Sequence, residues 1–236
     1  MRLDKFLHDA GLGSRKDIGR MIRSGRIMVN GIPVRDRAHQ VTADGQVLLD
    51  NSPIFYQRHR HILLHKPAGL VTAMRDRRHE TVMTLLEDVP ADLRPVGRLD
   101  KDTTGVLLFT TDGQLAHRLA SPKHQVEKTY RFTYAGEMPA DAGAQVAAGL
   151  ELSDGKTRPA QLDLPGGQTA VLTLTEGRTH QVKRMCHALG CELLSLERLR
   201  IGPVELGDLP VAAWRDLTTE EAEALYAICG LTEEVT

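Results

Sequence analysis

Two aspartates two residues apart, Asp100 and Asp102, stand in the stretch Gly97-Arg98-Leu99-Asp100-Lys101-Asp102-Thr103-Thr104-Gly105-Val106-Leu107-Leu108-Phe109-Thr110-Thr111-Asp112-Gly113. The acidic half precedes an apolar, β-prone run from Val106 to Thr111, bounded by Gly105 and by Asp112-Gly113, which predicts a buried strand fed by a polar loop. Loops held on a rigid scaffold commonly carry catalytic side chains. Spacing alone reads Asp100 as a turn or cap residue. A carboxylate pair would instead suit hydrolysis of a glycosidic bond, but the loop setting and Thr103-Thr104 make Asp102 a structural cap.

Three further segments carry reactive side-chain types: Glu127-Lys128-Thr129-Tyr130, Glu176-Gly177-Arg178-Thr179-His180-Gln181-Val182-Lys183-Arg184-Met185, and Arg200-Ile201-Gly202. His180 and His187 are seven apart on one helical face but have no third ligand at helical spacing, and His59, His61 and His65 are too scattered, so no metal site is predicted. Cys186, Cys191 and Cys229 are odd in number and irregularly spaced. They read as buried thiols rather than a disulfide framework or a zinc site.

The elements that must position these segments follow from periodicity. Ile62-Leu63-Leu64 predicts a strand turned by Lys66-Pro67-Ala68-Gly69, with 70–73 continuing extended. Val82–Leu86 predicts a short helix. Helices are also expected at 114–119, 139–149 and 181–189, the last with Val182, Met185, Cys186 and Leu189 inward. Strands are expected at 128–134, 170–174, 195–201 and 204–206, and Thr218 with Glu221 forms a capping box for a final helix. Hairpin-linked strands outnumber helices, which predicts an α+β domain, residues 61–236, built on a largely antiparallel mixed sheet with flanking helices.

Residues 1–50 read as a separate small α/β module. Leu3, Phe6, Leu7 and Ala10 repeat at helical spacing until Gly11 and Gly13. Ser14 caps a second helix with Asp17 three places on, and Gly25 ends it. Arg26–Val29 is a short strand, Asn30-Gly31 a hairpin turn, and Val34, Val41 and Val47–Leu49 supply further strands. Residues 1–37 hold nine Lys or Arg against four Asp, net +5; the chain totals −1, so the remainder carries −6. A basic end on an otherwise acidic chain suits a nucleic-acid contact, through Arg2, Lys5, Arg15, Lys16, Arg20, Arg23, Arg26 and the turn residue Asn30. Residues 51–60, polar and turn-prone, are read as a linker, in which Arg58, Arg60 and His61 form a basic cluster. Hydrophobic residues make up 41% and charged residues 26%, apolar runs are short, and the N-terminus lacks the apolar core of a signal peptide. No membrane span is expected and a cytoplasmic location is the default.

The four segments, in this order and spacing, resemble the pseudouridine synthases of the small-subunit 16S rRNA type (the RsuA family). His180 and Lys183 fit that branch better than its large-subunit relatives. The pattern Arg2-Leu3-Asp4-Lys5-Phe6-Leu7 with Ser14–Gly31 resembles an RNA-binding domain first described in a small-subunit ribosomal protein. The resemblance implies site-specific isomerisation of uridine to pseudouridine, at uridine 516, without metal, cofactor or nucleotide energy. It implies a ribosomal RNA partner, free or in an assembly intermediate, and a monomeric enzyme. It implies that Asp100 acts on the glycosidic bond, as nucleophile or base. Lys183 is the cation that keeps Asp100 ionised in a largely dry pocket, and Tyr130 stacks on the target base. Arg98 fills the vacated stack or grips the flipped nucleotide, and Ile201 packs on the uracil. Arg178, His180 and Arg184 join the substrate contacts. Lys183 and Arg184, about 100° apart around a helix, cannot both face Asp100. Three other readings stay open: a synthase for large-subunit rRNA, a non-catalytic rRNA-binding factor, and a glycosidase using Asp100 with Asp102.

Overall fold

A computed structural model describes residues 1–42, 45–54 and 59–231, apart from the side chain of Asp9. These divide into two compact units, one running to His59 and one beginning at Arg60.

In the first unit, α1 (Leu3–Asp9) and α2 (Arg15–Arg23) share a core with an antiparallel sheet of β1 (Ile27–Val29), β2 (Ile32–Pro33), β3 (Val47–Leu49) and β4 (Ser52–Pro53), ordered β2-β1-β3-β4. Leu3, Phe6, Leu7, Ile18, Ile22 and Ile27 form its fully buried centre. The Ser14 hydroxyl accepts the Asp17 N–H, so the cap read from sequence starts α2. Asn30 and Gly31 both take positive φ, +51° and +77°, the twist a two-residue hairpin needs. Val34 and Val41 are buried but lie outside the strands; the Val34 N–H donates to the Ile27 carbonyl, and Val41 exchanges two backbone bonds with Met1. Residues 51–54 correct the expected linker. Asp50 and Asn51 turn the chain, Ser52–Pro53 pairs with β3, and Ile54 packs on the first unit's core. Residues 55–58, with the candidate contact Arg58, lie outside the described residues.

The second unit contains β5 (His61–Lys66), β6 (Arg94–Pro95), β7 (Thr104–Thr110), α3 (Gly113–Ala120), β8 (Lys128–Ala135), α4 (Ala142–Ala148), a small β9 (Glu151–Leu152) and β10 (Gly155–Lys156) hairpin, β11 (Gln161–Gly166), β12 (Thr169–Leu174), α5 (Gln181–Ala188), β13 (Glu192–Ile201), β14 (Val204–Glu205), β15 (Trp214–Asp216) and α6 (Thr219–Ile228). The main sheet runs β11-β12-β8-β13-β7-β5-β15, with β14 on β13 and β6 on β7. All these pairs are antiparallel except β7 with β13. The fold class is thus α+β with a mixed, mostly antiparallel sheet.

Both faces of this sheet are covered, which is why β5 and β7 read as unbroken apolar runs. Ile62, Leu64, Leu107 and Phe109 join Tyr130, Phe132 and the inner sides of α4 and α5 in one core. The alternate residues Leu63, Val106 and Leu108 join Leu115 and Leu119 of α3 and Leu225 and Tyr226 of α6 in another. Period-two alternation sends neighbours to opposite faces. Asp112 caps α3 by accepting from Gln114 and Leu115, and Tyr226 donates to the same carboxylate at 2.7 Å, tying α3 to α6. The Thr218–Glu221 capping box is present.

At the parallel junction β7 and β13 approach so closely that a Cβ on Gly105 would sit 2.1 Å from the Arg198 carbonyl oxygen, at a φ of +104°. Only glycine fits there. Sequence periodicity misses β11, β15 and the β9–β10 hairpin, which are polar, short or Pro- and Gly-containing. It overextends at 70–73, where Val71 makes only an isolated bridge to Thr81. Among the described residues no helix is long and apolar enough to cross a membrane.

Candidate active site

The loop that carries Asp100 is clamped from beneath. Leu99 is buried in the core shared with Tyr130 and α5. The Thr72 hydroxyl donates to the Leu99 carbonyl at 2.8 Å and accepts the Leu99 N–H at 3.1 Å. Lys66 closes β5 with 0% exposure, and its ammonium donates to the carbonyls of Pro67 (2.9 Å), Thr103 (2.9 Å) and Lys101 (3.3 Å). Gly69 N–H donates to the Lys101 carbonyl at 2.8 Å. Burial lowers the Lys66 ammonium to about 8, against the opposing pull of the Asp102 and Asp100 charges. Sequence reading passed over Lys66. Its signal is a lysine ending an apolar strand directly before Pro67-Ala68-Gly69.

From this support the Asp100 carboxylate faces a cavity of about 630 Å³, lined also by Val71, Thr72, His79, Arg98, His180 and Lys183. His180 Nε2 is 3.4 Å and Lys183 Nζ 3.9 Å from its oxygens. His180 caps α5 in the left-handed region, φ +51°, a conformation uncommon outside glycine but enriched in His. The Asp100 side chain keeps 28% exposure, so the dry pocket expected from sequence is an open cleft. Arg98 is exposed at its rim with no hydrogen bond or ion pair among the described residues.

Asp102 is not the cap that sequence suggests. Its side chain is 68% exposed and receives Lys183 on both oxygens, at 2.7 and 2.9 Å. That hydrogen bond holds the Asp102 carboxyl below its usual range. Lys183 therefore bridges the two aspartates, bonded to Asp102 and within ion-pair distance of Asp100.

Tyr130 is 8% exposed, part of the core, and reaches a small cavity it shares with Asp100, Leu174, Val182 and Leu196. The Ile201 assignment is corrected, and Arg178 and Arg184 have partners within the protein. Ile201, 1% exposed, lies in the α3–α6 core on the opposite sheet face from Tyr130 and lines neither of the two cavities described for Asp100. Arg184 turns to Asp154, at 2.6 and 3.0 Å. Arg178 donates to the carbonyls of Gly155 and Lys156 at 2.9 and 2.6 Å and to the buried Glu176. These two arginines lace the β9–β10 hairpin to α5 and the turn before it, and Arg178 also lines the small cavity shared by Asp100 and Tyr130. Gln181 and Arg158 complete the clip by donating to Glu176.

On the first unit, Arg15, Lys16 and Arg23 are exposed and without ion pairs among the described residues, and Lys5 is exposed. Arg2 pairs with Asp4, Arg20 with Asp17 and Arg26 with Asp50. These partners reduce the free charge of the basic face. The Asn30 side-chain carbonyl accepts the Gln46 N–H at 2.8 Å, which gives it a turn-holding role. No cluster of three His, Cys, Asp or Glu side chains capable of holding a metal occurs among the described residues.

Comparison with known proteins places this geometry. The family model for RNA pseudouridylate synthase matches residues 60–188, and that for the S4 domain matches residues 1–50. The chain is 40% identical over 236 residues to the uncharacterized RNA pseudouridine synthase YtzG of Bacillus subtilis (strain 168), spanning 95% of this chain and 98% of that one. It is 42% identical over 226 residues to ribosomal small subunit pseudouridine synthase A of Escherichia coli (strain K12), spanning 94% and 98%. A crystal structure of a pseudouridylate synthase superposes with a TM-score of 0.67 at 35% identity, over 95% of this chain and 99% of that one. The chain belongs to the RNA pseudouridine synthases, which are isomerases. It joins the synthase domain to an N-terminal S4 RNA-binding domain.

Proposed function

We propose that this synthase converts one uridine of small-subunit 16S rRNA to pseudouridine, at position 516, acting as a monomer on the RNA or on an assembly intermediate. The observation that carries the reading is Asp100, open to a cavity of about 630 Å³ with His180 at 3.4 Å and Lys183 at 3.9 Å. The relatives named for small-subunit rRNA align over nearly the whole chain.

The isomerisation breaks the bond between uracil N1 and the ribose and forms one between C5 and the same ribose carbon. The proton leaving C5 is balanced by one gained at N1, so neither oxidant nor energy source is consumed. Asp100 supplies the carboxylate at the glycosidic bond. His180 and Lys183 hold its negative charge. The target base leaves its stack, at a cost of about a few kcal/mol, and the edge of Tyr130 forms a wall beside Asp100. Arg98, exposed at the rim, grips the displaced nucleotide. The exposed cations of the S4 domain hold phosphates at a distance from the chemistry.

Replacing Asp100 by Ala is expected to lower pseudouridine formation on 16S rRNA fragments by about 10⁴-fold or more, with RNA binding retained. Persistent product would overturn the role of Asp100. In cells lacking the protein, one pseudouridine is expected to vanish from small-subunit rRNA. Its loss from large-subunit rRNA instead would move the substrate there, and release of free uracil would mark a hydrolase.

A further inference from the structure

Residues 74–80, Met74-Arg75-Asp76-Arg77-Arg78-His79-Glu80, are exposed throughout. Sequence motifs gave them no role. Arg75, Arg77 and Arg78 make no ion pair or hydrogen bond through their side chains among the described residues, while Asp76 turns its carboxylate inward to accept the N–H groups of Arg78 and His79, both at 2.8 Å. Asp76 is therefore spent on the turn and the exposed Glu80 stands at the loop's end, while the three arginines are left to project. Its base is closed by Val71 N–H on the Glu80 carbonyl (3.1 Å) and Val82 N–H on the Val71 carbonyl (3.0 Å). Thr72, at the root of the loop, holds Leu99 by two hydrogen bonds, one residue before Asp100. His79 lines the same cavity as Asp100, Arg98 and Lys101. Three guanidinium groups without side-chain partners among the described residues thus stand on the exposed loop whose His79 lines the cleft, in the part of the chain whose net charge is −6.

Unpaired charge of this density is costly to gather unless an anion answers it, and the planar guanidinium fork matches phosphate oxygens. Resting on the pseudouridine-synthase reading above, we propose that the 74–80 loop is a second RNA clamp, separate from the S4 domain. It binds the sugar-phosphate backbone flanking the target uridine through Arg75, Arg77 and Arg78. The Thr72–Leu99 link transmits its position to the Asp100 loop, so a bound backbone is placed in register with the carboxylate.

The test is the full chain with Arg75→Ala, Arg77→Ala and Arg78→Ala together, measured on a 16S rRNA fragment carrying the target. The dissociation constant is expected to rise about 10- to 100-fold near 0.1 M salt. The slope of log K against log salt should flatten by about 2, since each lost phosphate contact removes about 0.7 to 0.9. Most of the loss should fall in KM rather than kcat. The same three positions changed to Lys should keep the salt slope and recover part of the affinity. If the alanine variant melts below wild type, the single Arg→Gln variants are measured instead, each expected to lose about a third of the slope change. A wild-type slope and KM in these variants, with the wild-type enzyme active beside them, would overturn the clamp alone. A wild-type enzyme that forms no pseudouridine in any rRNA would overturn the functional reading, while the binding measurements would still decide the clamp.

Discussion

At the scale of single residues, the site is governed by where charges are placed relative to water. Lys66 is fully buried and no carboxylate bonds it; three backbone carbonyls do. Burial disfavours its charged form, and its pKa falls to about 8 from an ordinary value of 10.5. Between those two values the unfolded chain keeps a proton that the folded chain releases, so stability rises with pH through that window. Below pH 8 the full penalty of the buried cation remains. Lys128, likewise buried and lowered to about 8, first by burial and then by Arg198, adds in the same direction. Urea unfolding of wild type and Lys66→Met between pH 7 and 10.5 should therefore show wild type gaining stability on the variant as pH rises; a gap independent of pH would contradict it. The same substitution frees the Lys101 and Thr103 carbonyls and loosens the loop that holds Asp100. A fall in turnover of about 100-fold is expected from that misplacement, at unchanged affinity for RNA.

At the scale of elements, two close contacts set the geometry of the cleft. One is the parallel pairing of β7 with β13. Gly105 gives way to the Arg198 backbone there, and the chain emerges from the Asp100 loop straight into this junction. Gly105→Ala combines a positive φ with a clash against backbone, which no rotamer relieves. A loss of about 2–5 kcal/mol in chemical denaturation is expected, and a variant of wild-type stability would show that the two strands are free to part. The other is the clip formed by Glu176, Arg178, Gln181 and Arg184 around the β9–β10 hairpin. It orients the first turn of α5, and with it His180 and Lys183, toward Asp100.

At the scale of the whole molecule, the two units each own a core. The S4 domain closes around Leu3, Phe6 and Ile18, and the synthase domain around two cores on the two faces of one sheet. A chain beginning at Arg60 is thus expected to unfold cooperatively by near-ultraviolet circular dichroism. Its affinity for RNA should drop, with a flatter salt dependence, because the exposed Arg15, Lys16 and Arg23 leave with the S4 domain. An unchanged salt slope would remove the basic face from the binding surface.

Local rules in the sequence determined much of this. Apolar runs gave β5 and β7, alternation gave β8, capping residues placed the starts of α2 and α6, and the Asp100 stretch announced a polar loop feeding a buried strand. These signals are short-range, and the forces behind them act within a few residues. Partnerships across the chain were decided only by the tertiary structure: Lys183 bonding Asp102 while standing 3.9 Å from Asp100, Arg178 and Arg184 turned to a hairpin, Ile201 on the far face, and Lys66 beneath the loop. Hydrogen-bonded groups 22 to 81 positions apart meet there because sheet register and face, set by the packing of both cores together, choose which donor finds which acceptor.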